Sequence, residues 1–107
     1  MMNEYVLVGR LKDKGIIKEG RNGKYCRMQI GVTRHFKNAN GEYETDMTKV
    51  TLRRDLATKL HEYCELEDLV GVKGHIEGTS NGNTILVADK LTFLATHQKV
   101  EELKDNE

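Results

Sequence analysis

An all-β fold, a five-stranded barrel with one helix between its third and fourth strands, is what this 107-residue sequence predicts. Three observations predict it. Apolar and polar residues alternate with the period of a strand through most of the chain, two Asn-Gly pairs sit where hairpins would turn, and one segment alone changes to the period of a helix.

The first strand is YVLVGRL, residues 5–11, apolar and rich in β-branched side chains. In KYCRMQIGVTR, residues 24–34, Cys26, Met28, Ile30 and Val32 share one face, while Tyr25, Arg27, Gln29 and Thr33 share the other. The third strand, MTKVTLRR, alternates in the same way, with Thr48, Val50 and Leu52 inward and Met47, Lys49, Thr51 and Arg53 outward. Between these two strands, Asn40-Gly41 supplies the positive φ angles of a tight hairpin, so residues 33–46 form a protruding β-ribbon. The period changes in RDLATKLHEYCE, where Leu56, Leu60, Tyr63 and Cys64 form a stripe and Asp55 is placed to act as the N-cap. LVGVKGHIEGT and NTILVADKLTFLA are the last two strands, joined through SNGN. Gly9, Gly31, Gly71 and Gly74 fall where barrel strands bend and a side chain would crowd a neighbour.

Three strands, a helix and two strands is the order of an OB-fold, the Greek-key barrel whose second and third strands carry a ligand face. A small sandwich or an SH3-like barrel shares the strand content, but neither normally inserts a helix at that point. One such domain spans residues 1–95, followed by a polar acidic tail, 96–107.

Several function classes are excluded or weakened by what the chain lacks. No Ser, Cys or Thr sits in a nucleophile elbow or triad signature, so no enzymatic activity is expected. GRNGK, residues 20–24, has the wrong glycine spacing for a phosphate loop and precedes a strand, and therefore reads as a turn. Cys26 and Cys64 lie far apart, and the four histidines lack ligand spacing, so reduced thiols are expected and neither a metal nor a cofactor. Glu42, Glu44 and Asp46 share one side of the ribbon but fall short of the oxygen set of a calcium loop. The N-terminus resembles no secretory signal, and no apolar run reaches the ~18 residues of a membrane span, which points to a cytoplasmic protein without membrane partners.

Charge is balanced overall, with 17 Lys/Arg against 17 Asp/Glu, yet it is segregated. Residues 1–37 hold nine Lys/Arg and three acids, which leaves eight against fourteen in the remainder. Such a dipole can give one surface a positive potential in a neutral protein, as a polyanion site requires. Single-stranded nucleic acid is held by cations that follow phosphates and by flat side chains that stack on unpaired bases. The outward rows supply both: Arg27, Lys49 and Arg53, with Arg34 and Lys37 from the ribbon, for phosphates, and Phe36, with Tyr25 and Tyr43, for bases. Met47 and Thr51 complete the same face. Each residue has a structural alternative, a tyrosine covering a sheet edge or a lysine merely solvated. A protruding Phe flanked by Arg and Lys has little structural reason to be exposed.

These segments together resemble the bacterial single-stranded DNA-binding protein (SSB) family. NEYVLVGRL (Asn3 to Leu11) is similar to its opening strand, FKNANGEYETD (Phe36 to Asp46) to its ribbon, and DLATKLHEYCELEDLVGV to its helix and following strand. LVGVKGHIEG and ADKLTFL are similar to its fourth and closing strands, so the likeness runs in order over roughly residues 2–95. The resemblance implies an OB-fold that binds single-stranded DNA without sequence preference in replication, recombination and repair. It also implies no cofactor, a homotetramer or dimer, contacts with replication proteins, and a cytoplasmic, nucleoid-associated location. An unpaired edge on the first strand favours self-association independently.

The chain departs from the family pattern at Met47 and Arg53, where aromatic residues are usual, and has no aromatic around Thr79 to Asn81. The family's Gly- and Pro-containing linker with an acidic, Phe-ending tip has no counterpart. The departures keep open an alternative, an OB-fold interaction module serving as a primosome or replisome accessory subunit with weak DNA binding.

Overall fold

A computed structural model of the protein describes residues 1–95; the acidic tail expected over 96–107 lies outside the described residues. The elements are β1 (Tyr5–Asp13), β2 (Lys18–Gly20), β3 (Gly23–Lys37), β4 (Tyr43–Arg53), α1 (Asp55–Tyr63), β5 (Leu69–Gly78) and β6 (Thr84–Ala95). Strands β1, β5, β6, β4 and β3 pair in that order, and β3 returns to β1, which closes a five-stranded barrel. All of these pairings are antiparallel except β4 with β6, where Val50 is opposite Leu86 and Thr51 opposite Val87. The OB-fold expectation holds in strand order and in the position of its helix.

Alternation fixes the core. Cys26, Met28 and Ile30 of β3 and Val50 and Leu52 of β4 face inward and are fully buried, where they meet Leu11, Val70 and Val72. Burying side chains of this size contributes about 1.5–3 kcal/mol each. The helix α1 packs against β3, β4 and β6 through Ala57 and Leu60, with Cys64 buried just beyond it. Burial raises both thiols to about 11, so they remain protonated, and neither is in a disulfide.

Several expectations need correction. The helical stripe holds Leu56, Leu60 and Cys64 as expected and adds Ala57, but not Tyr63, which is largely exposed beside Phe93. Asp55 is not the N-cap: that position is Arg54, with φ 56° and no side-chain cap, because the backbone N–H of Arg54 is drawn to the Lys24 carbonyl at 2.7 Å as β4 turns into the helix. Asp55 occupies the first turn, where its charge complements the helix dipole. A three-residue strand, β2, was not foreseen; it pairs with the start of β3 through the two-residue turn Arg21-Asn22, inside the segment read as a turn.

The hairpins at Asn40-Gly41 and Asn81-Gly82 are three-residue loops rather than two-residue turns. The N–H of Gly41 donates to the Asn38 carbonyl (3.0 Å) and that of Gly82 to the Thr79 carbonyl (3.0 Å), and the glycine alone has positive φ in each, 78° and 86°. Asn38 reinforces its loop, its Oδ1 accepting the N–H groups of Asn40 and Glu42. Of the glycines assigned to crowded bends, Gly74 is the tightest: a Cβ there would lie 1.8 Å from the Val87 carbonyl oxygen, where the β5–β6 register shifts. Gly71 has ordinary room around it.

Candidate nucleic-acid interface

The face in question is built by β3 and β4, which stay in register from Tyr25 to Thr33. Period-two geometry projects alternate residues outward in opposed pairs: Tyr25 with Arg53, Arg27 with Thr51, Gln29 with Lys49, Gly31 with Met47, and Thr33 with Thr45. Two sequence segments joined by the ribbon, 25–33 and 45–53, thus form one surface.

Four adjoining depressions cover this surface, and Arg27 lines every one. The first, about 200 Å³, lies between the β2–β3 hairpin and Arg53, with Tyr25 and Thr51 in its lining. On the other side of Tyr25 is the second, about 470 Å³, bounded by Asp13, Ile16 and Lys18. The remaining two, about 260 and 220 Å³, extend along Gln29 and Lys49 and across to Thr84 and Ile85 at the start of β6. Together they form a groove with Arg27 at its centre and Tyr25 as a partition. The Tyr25 ring leans on Gly20, where a Cβ would come within 3.0 Å of the ring.

Thr51 shares the outward face but is buried, 7% exposed, because Arg27 of β3 and Val87 of β6 flank it on both sides. It forms groove floor rather than an exposed contact, a correction to its expected exposure.

Beyond Thr33 the two strands rise as an arm. Three residues of β3, Arg34, His35 and Phe36, are set against Glu44 alone before Lys37 pairs with Tyr43, so the simple alternation ends there. Phe36 (56% exposed), Tyr43 (55%) and Met47 (52%) all stand free of the core. The Phe36 ring meets His35 edge-on at 5.4 Å, and Lys37 Nζ lies 5.8 Å from the centre of the Tyr43 ring.

Arg34 is placed differently from expectation. Its Nε and Nη2 donate to the two Asp46 carboxylate oxygens, each at 2.9 Å, and its Nη1 donates to Glu44 at 2.6 Å. The hydrogen bonds from Arg34 hold Asp46 below the usual carboxylate range. With both edges of its guanidinium occupied by acids of its own arm, Arg34 is a brace between strands rather than a free phosphate ligand.

Arg53 faces the groove, but its Nη1 and Nη2 donate to the two oxygens of Glu77 on β5, both at 2.9 Å. Glu77 also meets His75 Nε2 at 2.7 Å, while His75 Nδ1 lies 2.9 Å from Asp89 of β6. Hydrogen bonds from Arg53 and then His75 lower the Glu77 carboxyl to about 2. Those to Asp89 and Glu77 raise His75 above its ordinary value.

Of the ten residues singled out, Tyr25, Arg27, Lys49, Thr51 and Arg53 meet in the groove. Arg34, Phe36, Lys37 and Tyr43 belong to the arm, with Met47 between the two regions opposite Gly31. Not singled out for the site were Lys18, Arg21, Lys24, Ile16 and Ile85, which also line the groove. The cationic excess of residues 1–37 was the available signal for the three basic ones.

The sequence matches the single-strand binding protein family over residues 2–94. The chain belongs to that family. Among its relatives it is 36% identical over 103 residues to single-stranded DNA-binding protein B of Bacillus subtilis, covering 88% of this chain and 91% of that one. It is 32% identical over 107 residues to single-stranded DNA-binding protein 1 of Lactococcus lactis, covering 92% and 71%. Among solved structures, the small single-stranded DNA-binding protein of Streptomyces coelicolor superposes with a TM-score of 0.69 at 20% identity, over 87% of this chain and 95% of that one. At that identity the likeness speaks to the fold, and it agrees with the barrel described above.

Proposed function

We propose that this protein binds single-stranded DNA without sequence preference and without catalysis, in the groove of the β3–β4 face and along the arm. One observation carries the placement: four contiguous depressions share a single cation, Arg27, with Lys49 beside it and Tyr25 as a flat partition. Phosphates would lie along Arg27, Lys49 and the hairpin cations, with bases against Tyr25, Phe36 and Tyr43. Family membership supports the binding activity, and the lining supports sequence tolerance, since cations and rings can engage any base. Nothing observed favours the accessory-subunit alternative.

The role expected of such a binder is protection of exposed strands during replication, recombination and repair, in the cytoplasm and on the nucleoid. No described helix is long and apolar enough to cross a membrane. A homo-oligomer, dimer or tetramer, is part of the proposal. Along residues 5–9, β1 pairs with β5 on one side, whereas its register with β3 begins at Arg10, and Val6 and Val8 are exposed there. That edge suits pairing with a second copy.

Titration of oligothymidine at two salt concentrations, read by tyrosine quenching since the chain has no Trp, tests the activity. Saturable binding that weakens with salt, with a slope near −0.7 per phosphate contacted, is expected. No binding at micromolar protein and low salt rejects the proposal, and light scattering that shows only monomer rejects its oligomeric part.

A further inference from the structure

Arg53 is the one groove arginine whose guanidinium end is closed by a carboxylate of the protein itself. Both Nη atoms are engaged by Glu77, and Glu77 is held in turn by His75, which Asp89 anchors from β6. Arg53 itself lines the depression shared by Tyr25, Arg27 and Thr51. An anion already occupies the position that a phosphate oxygen would take on that fork, since carboxylate and phosphate match guanidinium in the same two-pronged way.

On the assignment of this groove to single-stranded DNA, we propose that Glu77 is an internal counter-ion that withholds Arg53 from phosphate, with His75 and Asp89 as positioning residues that keep Glu77 in place. Arg53 then offers the strand a flat face but not its charged end. The phosphates are held by Arg27 and Lys49 instead, for which no carboxylate partner is found among the described residues. The groove therefore binds less tightly than its cation content suggests, and Glu77 sets the shortfall.

Oligothymidine is titrated over a series of salt concentrations with wild type, E77Q, the double variant R53A/E77Q, and R27A. Circular dichroism and thermal unfolding confirm that each is folded. E77Q keeps the shape of the side chain and removes its charge, so it is expected to bind several-fold tighter at low salt, with a log–log salt slope steeper by about 0.7, one added phosphate. R53A/E77Q removes cation and counter-ion together and is expected to keep the wild-type slope. It also tests the proposal should E77Q alone fold poorly, because it leaves neither partner unpaired. E77Q binding no tighter than wild type, or a double variant that loses a full contact from the slope, overturns the role of Glu77. If R27A binds as wild type does, the site lies elsewhere and both the groove assignment and the counter-ion fail; if R27A weakens binding while E77Q leaves it unchanged, the counter-ion alone fails.

Discussion

The groove and the arm share β3 and β4, carry the same residue types, and use their arginines differently. In the groove, Arg27 reaches four depressions from the centre of a regularly paired sheet. On the arm, where pairing slips, Arg34 is gripped by Asp46 and Glu44 and holds the two strands together. Cation content alone therefore says little about where a polyanion is held. What counts is which guanidinium groups the fold has already neutralised, and the arm keeps exposed rings while the groove keeps available charge.

The sharpest way to break this contrast is Arg27→Ala. A charged hydrogen bond is worth about 1.5–3 kcal/mol, so oligothymidine affinity measured by tyrosine quenching falls about 10- to 100-fold if Arg27 is the hub. Next in size is Phe36→Ala on the arm, which removes a stacking platform worth about 1–3 kcal/mol. Its loss persists at high salt, in contrast to that of Arg27→Ala, and titrations at two salt concentrations separate the two. Lys49→Ala makes the salt slope shallower by about 0.7, one phosphate. Arg34→Ala has the smallest effect on DNA: slope and affinity stay near wild type while hydrogen exchange in the arm rises. If Arg34→Ala instead costs a full contact, the distinction between the two regions collapses.

The Glu77 network adds a pH dependence that belongs to the groove side. The Glu77 carboxyl lies at about 2 against an ordinary 4.5, so its ion pair with Arg53 adds stability above pH 4.5 that is lost as pH falls toward 2. His75 is shifted the other way, upward from 6.5. Its bridge to Asp89 and Glu77 is fully stabilising below 6.5 and fades as pH rises through the raised value. Thermal unfolding of wild type and E77Q across pH should therefore differ least at the acid end.

Much of the barrel was legible because alternation has only one way to bury Cys26, Met28, Ile30, Val50 and Leu52. The arm was legible as a protrusion because Asn-Gly marks its turn, although the loop proved one residue longer than a two-residue turn. Asp55 misled as an N-cap because the start of α1 is set by a backbone bond from Arg54 to Lys24, thirty residues away in the chain. The short strand β2 escaped notice since Lys18, Glu19 and Gly20 are all exposed and carry no hydrophobic pattern.

By itself, the sequence determined the order of the five barrel strands, the single helix, the inward set of side chains and the row that includes Arg27 and Lys49. These follow from local periodicity, which every residue reports through its neighbours in the chain. Only the tertiary structure decided which cations are free, because Arg34 meets Asp46 across a hairpin and Arg53 of β4 meets Glu77 of β5, the strand on the far side of β6. Such pairings depend on distances between segments brought together by folding, and no local pattern encodes them.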